Sequence, residues 1–333
     1  MSAIDSLDDE ARSLLEEASI PHDISPMLAT LVDDPFSDPG WVYERKLDGV
    51  RLLAFGNGGE VRLRTRNDKD RTDTYPEITE VLAGQPPEAF VVDGEVVAFS
   101  GSVTSFSRLQ QRMRIDDPER ARATGVAVFF YVFDVLHLDG HDTTGLPLRT
   151  RKSLLREALD FGDPLRYTPH RNEDGESFLA DACERGWEGL IAKDASATYT
   201  QGRSRSWLKF KCVARQELVI GGFTEPQGER HGFGALLVGH YDDDELVYAG
   251  KVGTGYDDDT LDRLGDRLRD LERDDPPFAR GRLPTKGVHW VDPDLVAEIG
   301  FTEWTDAGRL RHPRFLGLRH DKDPTDVVRE RPA

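Results

Sequence analysis

The pattern of apolar and polar positions divides the chain into stretches of helical and of strand-like spacing. Apolar residues recur at helical spacing from Ser6 to Ala18, which predicts one packing helix near the start of the chain. From Trp41 to Phe99 the spacing changes to short β-rich runs separated by Asp-Gly and Gly-rich turns, so we expect a mostly antiparallel sheet there. The runs in that stretch are Val50 to Phe55, Val61 to Arg64 and Phe90 to Phe99.

Two further apolar runs predict buried strands on either side of a helix. Val126 to Asp134 is a continuous run typical of a strand buried on both faces, and Gly189 to Lys193 predicts another short strand. Between them, the residues from about Glu176 to Arg185 have helical spacing, with Gly186 as the stop signal. Cys183 lies in that helix, and we expect it to be a core residue.

After Lys211 the pattern changes again, and Arg215 to Glu217 is a candidate hinge between two domains. A helix from about Asp258 to Glu272 presents a single leucine stripe. Five strands plus one helix are compatible with an OB-type barrel, although the pattern alone does not distinguish it from other small barrels. The predicted strands are Leu218 to Phe223, Ala235 to Tyr241, Leu246 to Val252, Val288 to Val291 and Leu295 to Phe301.

Length and composition restrict the classes of protein. A chain of 333 residues predicts two domains, because domains average about 150 residues. The longest uncharged apolar run, Gly125 to Phe133, is too short for a membrane-spanning helix, and Met1 to Glu17 does not resemble a secretory signal. With only Cys183 and Cys212, a disulfide framework and a four-thiolate zinc site are excluded. We therefore expect a cytoplasmic protein without membrane partners.

The charge balance is strongly acidic. The net charge is −19, and the cations comprise 34 arginines but only nine lysines. Aspartate triplets such as Asp242 to Asp244 and Asp257 to Asp259 are typical of surfaces kept hydrated in salt-loving organisms, which gives a hypothesis of salt adaptation. On composition alone, nucleic acid is a poor candidate partner, because a net anion repels phosphates.

The sharpest local motif surrounds Lys46, between Glu44 and Arg51. An Asp-Gly hairpin turn with a solvated lysine would explain it, but lysines are scarce here, and a lysine amine kept partly neutral is a covalent nucleophile. Lys209 and Lys211 lie two apart on a predicted strand and so share one face. They are either edge-strand charges that discourage aggregation, or a phosphate clamp that also keeps a nucleophilic lysine neutral.

Carboxylates occur beside glycines in two similar strand-like segments. Asp93-Gly94-Glu95 and Glu188-Gly189 each place a glutamate within such a segment. Mg²⁺ needs one or two carboxylates in addition to substrate phosphates, so Glu95 and Glu188 are candidate metal ligands. The alternatives are a hairpin turn at Asp93-Gly94 and a solvated carboxylate at Glu188.

The order of these motifs resembles that of the covalent nucleotidyltransferases. The series runs through Lys46 to Arg51, Asp93 to Glu95, Phe133-Asp134, Glu188 to Lys193 and Trp207 to Lys211. It closes with Arg309 to Lys322, which is similar to the last motif of ATP-dependent DNA ligases. The strongest resemblance is to the ligase domain of bacterial end-joining ligases of the ligase D type, over about Pro26 to Val328.

The resemblance implies an α+β nucleotidyltransferase domain with antiparallel sheets over 1–213, followed by an all-β OB-fold barrel domain with one helix over 214–333. It also implies a role for each matching residue. Lys46 would be adenylated by ATP, and Lys209 and Lys211 would hold the α-phosphate. The remaining implied roles are adenine contact for Glu44, adenine stacking for Phe133, ribose and phosphate contact for Arg51 and Arg66, metal binding for Glu95 and Glu188, and orientation of pyrophosphate for Arg319, Asp321 and Lys322.

These roles predict an ATP- and Mg²⁺-dependent DNA ligase that acts as a monomer on nicked double-stranded DNA in repair, with end-joining repair proteins as partners. One departure is Asp68, because the family often has a glycine two residues after the arginine at position 66. An RNA ligase and an mRNA-capping guanylyltransferase are alternatives, since the lysine motif is shared. A catalytically silent DNA-end-binding module is a further alternative from a different class.

Overall fold

A computed structural model of the chain describes residues 3–212, 214–226, 231–305 and 307–330. The chain forms two compact units, Met1–Cys212 and Val213–Arg331, which we call the N-terminal unit and the C-terminal unit. Within the described ranges, no helix is long and apolar enough to cross a membrane.

The N-terminal unit contains short helices and many strands. Its helices are α1 (Asp9–Ser13), α2 (Pro76–Ala83), α3 (Phe106–Gln110), α4 (Pro118–Ala123), α5 (Leu148–Ala158) and α6 (Gly175–Glu184), preceded by a 3₁₀ turn at Ala3–Ser6. Its strands are β1 (Glu16–Glu17), β2 (Met27–Leu31), β3 (Trp41–Arg45), β4 (Val50–Asn57), β5 (Glu60–Thr65), β6 (Ala89–Val97), β7 (Phe99–Ser100), β8 (Val103–Thr104), β9 (Phe129–Leu138), β10 (His141–Asp142), β11 (Leu165–Tyr167), β12 (His170–Asn172), β13 (Gly189–Asp194) and β14 (Gly202–Lys211).

The longer strands of this unit form two sheets. Sheet A has the order β1-β10-β9-β6-β4-β5, with β11 beside β9, and sheet B has the order β12-β3-β13-β14-β2. The pairings are antiparallel except for β11 with β9 and β14 with β2, so the predicted mostly antiparallel architecture is confirmed. The predicted strand starting at Val126 begins instead at Phe129 and continues to Leu138.

Alternation along the strands determines which residues lie between the two sheets. On sheet A, Leu52 and Val92 point into a core outside the sheet, whereas Leu53 and Phe133 join a cluster that includes Trp207 of sheet B. The opposite face of sheet B packs against α6. The two sheets therefore face each other across a layer whose side chains come from alternate positions on both.

In its described residues, the C-terminal unit contains strands and one long helix. The elements are β15 (Ala214–Thr224), β16 (Leu236–Asp242), β17 (Glu245–Val252), α7 (Asp258–Asp270), β18 (Glu272–Arg273), β19 (Val288–Phe301), β20 (Glu303–Trp304), β21 (Leu310–Arg311) and β22 (Arg314–Arg319), followed by a 3₁₀ turn at Pro324–Asp326. Its main sheet has the order β17-β16-β15-β19-β18, with β22 beside β19. The leucine stripe of α7 is buried in the core of this unit.

Two sequence predictions in this unit are wrong. The predicted strands at 288–291 and 295–301 are one strand, β19, whose pairing with β15 skips Val291 to Asp294 at a bulge. A bulge bends a strand without ending it, so the polar interruption does not break the element. The predicted hinge, Arg215 to Glu217, lies inside β15 and pairs with β19.

The predicted helix from Ser6 to Ala18 is also wrong in extent. It is reduced to α1, which begins after Asp8, whose side chain accepts a hydrogen bond from the Ala11 N–H at 2.7 Å. Glu16 and Glu17 leave the helix to pair with β10, and Leu14 is 45% exposed. Sheet pairing therefore overrides the helical spacing.

Cys183 is exposed and disulfide-bonded to Cys212, so its prediction as a core residue is wrong. The buried residues of α6 are Gly175, Phe178 and Ala182, and Cys183 lies off that stripe. Cys212 follows β14, and its N–H donates to the Glu188 carbonyl at 3.0 Å. The disulfide thus joins the end of α6 to the end of β14.

Replacing Cys183 by serine is expected to lower the free energy of unfolding by about 3 kcal/mol, because the bond closes a loop between cysteines 29 positions apart. Urea denaturation of the variant and of wild type, each with and without dithiothreitol, measures the loss. Reduced wild type should match the variant. Two titratable thiols in unreduced, denatured wild type would show that the bond does not form.

Candidate active site

At three of the predicted motifs, the structure excludes the simpler explanation, which was a hairpin turn for the two Asp-Gly pairs and an edge strand for Lys209. Asp48-Gly49 links β3 of sheet B to β4 of sheet A, so it is not a hairpin turn. Asp93-Gly94 lies inside β6, and a Cβ at Gly94 would come within 2.7 Å of the Tyr131 carbonyl oxygen. Lys209 lies on β14, which pairs with strands on both sides, so it is not on an edge strand.

Lys46 follows β3 directly and contacts the segment that begins β13. Its backbone N–H donates to the Gly189 carbonyl at 2.9 Å, and its Nζ lies 2.5 Å from Glu188 Oε2. Burial alone favours the neutral amine, but Glu188 outweighs it, with Asp48 and Glu95 acting in the same direction, so the pKa of Lys46 is raised. The sequence had predicted the opposite shift, from nearby cations.

Gly189 allows this contact. Its φ is +148°, and a Cβ there would lie 1.9 Å from the Phe210 carbonyl oxygen. Only glycine fits such an approach of two backbones. Gly189 therefore lets the backbones of β13 and β14 approach closely beside the Lys46–Glu188 contact.

Lys209 and Lys211 lie on the same face of sheet B as the Lys46 contact. In the register of β14 with β13, Lys209 is opposite Ile191 and Lys211 is opposite Gly189. Alternation gives both side chains the direction of Trp207, which belongs to the cluster between the sheets. The structure thus places both predicted cations along the inner face, near the end of β14.

Arg51 is held by Asp93 across β4 and β6. Its Nη2 donates to Asp93 Oδ2 at 2.6 Å and its Nε donates to Oδ1 of the same carboxylate. The Tyr199 hydroxyl donates to Asp93 Oδ2 at 2.6 Å and accepts the Met27 N–H at 2.8 Å. Burial disfavours the Arg51 charge, but Asp93 outweighs it and raises the arginine's pKa. Sequence reasoning missed Tyr199, which lies 106 positions from Asp93.

Glu44 has only 2% exposure and lies between two lysines. Its Oε1 is 2.5 Å from Lys152 Nζ, and its Oε2 is 2.6 Å from Lys193 Nζ. Lys152 also donates to the Thr168 carbonyl at 3.2 Å. Neither lysine was predicted as a site residue. One signal could have found them. Because the chain has only nine lysines, each lysine is a candidate for a specific role, and these two are buried.

Phe133 forms the wall between these two charge groups. The Arg51 Cζ lies 4.4 Å from its ring centroid, and the Lys193 Nζ lies 4.2 Å from the same centroid. Trp207 meets Phe133 edge to face at 6.0 Å. The aromatic side chain and the buried cations therefore form one contiguous group between the sheets.

The other two predicted residues of this unit are Glu95, which lies on β6, and Arg66, which follows β5. Glu95 is opposite Arg51 in the register of β6 with β4 and acts electrostatically on Lys46. Arg66 directly follows β5, whose last residue, Thr65, pairs with Leu52 of β4. Asp68 has φ of +54°, so the backbone adopts the left-handed conformation that a glycine would favour.

The carboxylates around Lys46 fit a magnesium ion only together with ligand phosphates. Across the described residues, no group of three or more His, Cys, Asp and Glu side chains is arranged to hold a metal. Glu95 and Glu188 both act electrostatically on the Lys46 ammonium. Two carboxylates plus phosphate oxygens and water are the donor set that Mg²⁺ usually takes.

In the C-terminal unit, Arg319, Asp321 and Lys322 lie in one ion cluster. The Arg319 guanidinium donates two 2.9 Å hydrogen bonds to Asp321, and Lys322 Nζ lies 3.1 Å from Glu217 Oε1. Glu298 Oε2 is 3.5 Å from Arg319 Nη1. Burial opposes ionisation of Asp321, but Arg319 outweighs it and lowers the pKa of that carboxyl. Sequence reasoning missed Glu217 and Glu298.

Two family models match the chain. The ATP dependent DNA ligase domain matches residues 26–211, and the ATP dependent DNA ligase C terminal region matches residues 229–322. The first range contains every predicted site residue of the N-terminal unit, and the second contains the Arg319 cluster apart from Glu217.

Curated relatives agree with these matches. The chain is 38% identical over 322 residues to the multifunctional non-homologous end joining protein LigD of Pseudomonas aeruginosa, an alignment that covers 94% of this chain and 37% of that protein. It is 39% identical over 314 residues to the multifunctional non-homologous end joining DNA repair protein LigD of Mycobacterium tuberculosis, with 92% and 40% covered. The chain thus spans less than half the length of these relatives.

Among solved structures, the chain is similar to one described as mycobacterial DNA ligase D complexed with ATP and MES. The identity is 38%, the TM-score is 0.67, and the match covers 92% of this chain and 98% of that chain. The motif order, the grouping of Lys46 with its carboxylates and the family models agree: this chain belongs to the ATP-dependent DNA ligase family.

Proposed function

We propose that the protein is an ATP-dependent DNA ligase that seals nicks through a lysyl-AMP intermediate and an adenylated 5′-phosphate, in end-joining repair. The observation that carries the proposal is the 2.5 Å contact of Lys46 with Glu188, on the sheet face that also carries Lys209 and Lys211. A nucleophilic amine, a proton acceptor and two phosphate-binding cations are the groups that adenylation by ATP requires.

In the first step, the Lys46 amine attacks the α-phosphorus of ATP, forming an N–P bond while the bond to the β-phosphate oxygen breaks and pyrophosphate leaves. The ammonium must first lose a proton, and Glu188 is the acceptor in contact with it. Lys209 and Lys211 hold the α-phosphate. As in other phosphoryl transfers, positioning and electrostatics supply most of the catalysis.

The remaining N-terminal residues bind the nucleotide. Glu44 and Phe133 contact the adenine, whereas Arg51 and Arg66 hold the ribose and phosphate. Glu95 and Glu188 would hold Mg²⁺, which neutralises phosphate charge when it is bound. Their shared action on the Lys46 ammonium supports this placement.

We further infer that residues 214–333 form an OB-fold domain, supported by the long helix α7 and the bulged strand β19. Arg319, Asp321 and Lys322 orient the leaving pyrophosphate. AMP then passes to the 5′-phosphate of the nick, and the 3′-hydroxyl attacks that phosphate and displaces AMP. The protein acts as a cytoplasmic monomer on nicked DNA, with end-joining repair proteins as partners, and residues 1–213 form the adenylation domain.

Replacing Lys46 by alanine should abolish the AMP adduct formed with ATP and Mg²⁺, while sealing of pre-adenylated nicked DNA persists, because only the first two steps use the amine. Intact-protein mass spectrometry detects the adduct, and a denaturing gel follows sealing. Lys69→Ala, which changes an exposed lysine of the same unit, is the control that keeps the adduct. An adduct on Lys46→Ala would contradict the proposal, and an adduct with GTP instead of ATP would favour a guanylyltransferase.

The rate of the first step should rise with pH, because the neutral amine is the nucleophile and the pKa of Lys46 is raised. Glu188→Gln removes the carboxylate that stabilises the ammonium, so the pKa falls and the profile moves to lower pH, with a lower maximal rate. Single-turnover adenylation across a pH series measures both. Glu80→Gln, an exposed carboxylate paired with Arg122, should leave the profile in place. A Glu188→Gln profile that stays or moves to higher pH would contradict this role.

We also propose that the protein is adapted to salt. The Asp242 to Asp244 and Asp257 to Asp259 triplets are exposed, although Asp257 also caps α7 by accepting the Thr260 N–H at 2.9 Å. Salt at about 1 M shortens the screening length to roughly 3 Å and so reduces repulsion among such charges.

The melting temperature and the rate of the first step should therefore both rise as KCl is raised from about 0.1 M to about 1 M, where screening of surface charges becomes short-ranged. Calorimetry and single-turnover adenylation without DNA measure them, which separates the effect from the loss of DNA affinity that salt also causes. If the melting temperature and the rate of the first step are already maximal in dilute buffer, the proposal of salt adaptation is wrong.

A further inference from the structure

Two buried lysines near the predicted base-binding residues have no assigned role. Glu44, Lys152 and Lys193 are each at most 2% exposed, and the three together carry a net charge of +1. Burying charges is costly unless each is paired, so a cluster of this kind needs a close geometric match. Lys152 comes from α5, whereas Glu44 and Lys193 come from neighbouring strands of sheet B.

Both lysines have contacts in addition to Glu44, although burial lowers the pKa of Lys193 to about 8. Lys152 donates to the Thr168 carbonyl at 3.2 Å and lies 4.8 Å from the Tyr167 ring centroid. Lys193 lies over two aromatic rings, 4.2 Å from the centroid of Phe133 and 4.0 Å from that of Trp207. Each ammonium therefore has one Glu44 oxygen and further partners of its own.

We call Glu44, Lys152 and Lys193 the triad. The titratable groups around the triad come from three further strands. Asp134 of β9 acts on both lysines, Tyr167 of β11 acts on Lys152, and His170 of β12 responds to the triad. Burial raises the pKa of Glu44, but the two lysines outweigh it, so the pKa is lowered and the carboxylate is ionised.

We propose that Lys152 and Lys193 are positioning residues that keep the Glu44 carboxylate ionised and fixed, so that the site accepts a purine with a 6-amino group and rejects a 6-oxo group. The proposal rests on the proposed function, because it takes the nucleotide to be bound beside Phe133. Lys193 contacts both Glu44 and the Phe133 ring and so links the acceptor to the aromatic wall.

The selectivity follows from hydrogen-bond chemistry. An ionised carboxylate only accepts, so it pairs with a 6-amino donor and leaves a 6-oxo oxygen without a donor. A site built to hydrogen-bond one group discriminates strongly against an analogue that lacks it. A protonated carboxyl can donate a hydrogen bond to the 6-oxo group and so tolerates it. Loss of one lysine favours the protonated form, because burial raises the pKa of Glu44 and one of the two charges that lower it is gone.

The test compares ATP with ITP, which carries oxygen instead of the amino group at position 6. Single-turnover formation of the covalent nucleotide adduct is measured for wild type, Lys152→Met and Lys193→Met, using the full chain. Each methionine variant should raise the KM for ATP about 10-fold to 100-fold and reduce the ATP-over-ITP preference about 10-fold or more, which is the loss expected for a hydrogen bond to a charged group.

Two further readouts separate positioning from folding. In Lys152→Met the preference for ATP should return as pH rises, because the Glu44 carboxyl then ionises despite its raised pKa, while Lys152→Arg should keep most of the preference. Arg112→Met is the matched control. It removes a buried ion pair with Glu77 in the same unit and should lower the melting temperature without changing the ratio of ATP to ITP use.

The outcomes distinguish the inference from the proposed function. If wild type forms no adduct with ATP, the proposed function fails. If wild type forms the adduct but both methionine variants keep its ATP-over-ITP ratio, the inference is overturned and the function stands. If the methionine variants do not fold, Glu44→Gln decides, since its amide donates to a 6-oxo group. A shift toward ITP supports the inference, and an unchanged ratio overturns it.

Discussion

Charges buried between two facing sheets need contact partners, and this requirement organises the N-terminal unit. Water is largely excluded there, so an unpaired ion would be costly. Glu44 is balanced by lysines, Asp93 by Arg51 and Tyr199, and Lys46 by Glu188. Lys193 contacts both Glu44 and the Phe133 ring, so the residues proposed to bind the base are oriented by the same packing that stabilises the fold.

The charges around Lys46 favour its ammonium form, whereas the proposed nucleophile is the neutral amine. Carboxylates surround the amine and favour its protonated form. In the proposed mechanism, the amine becomes nucleophilic only when that proton is lost. In the proposed mechanism, the cations on the same sheet face act on the phosphates of the substrate.

The sequence carried the local features of the site but not its long-range partners. Alternation correctly put Lys209 and Lys211 on one face. Motif order selected Lys46 and Glu188, and the structure brings these two side chains into contact. Lys152 was not predicted, because it lies on a helix 108 positions from Glu44, and no local periodicity encodes such a pairing. The continuity of β19 was also not predicted. The sequence pattern suggests two strands with a turn between them, whereas the structure has one strand with a bulge that depends on its pairing with β15. The first helix shrank for a similar reason, since β1 pairs with a distant strand.

Gly189 has a consequence for anyone who wishes to re-engineer the enzyme. Its carbonyl fixes the backbone of Lys46, and its missing side chain lets Phe210 approach to a distance that no other residue permits. Libraries of variants of this enzyme should therefore leave position 189 unchanged. Any other residue at this position would clash with the Phe210 carbonyl and disrupt the pairing of β13 with β14.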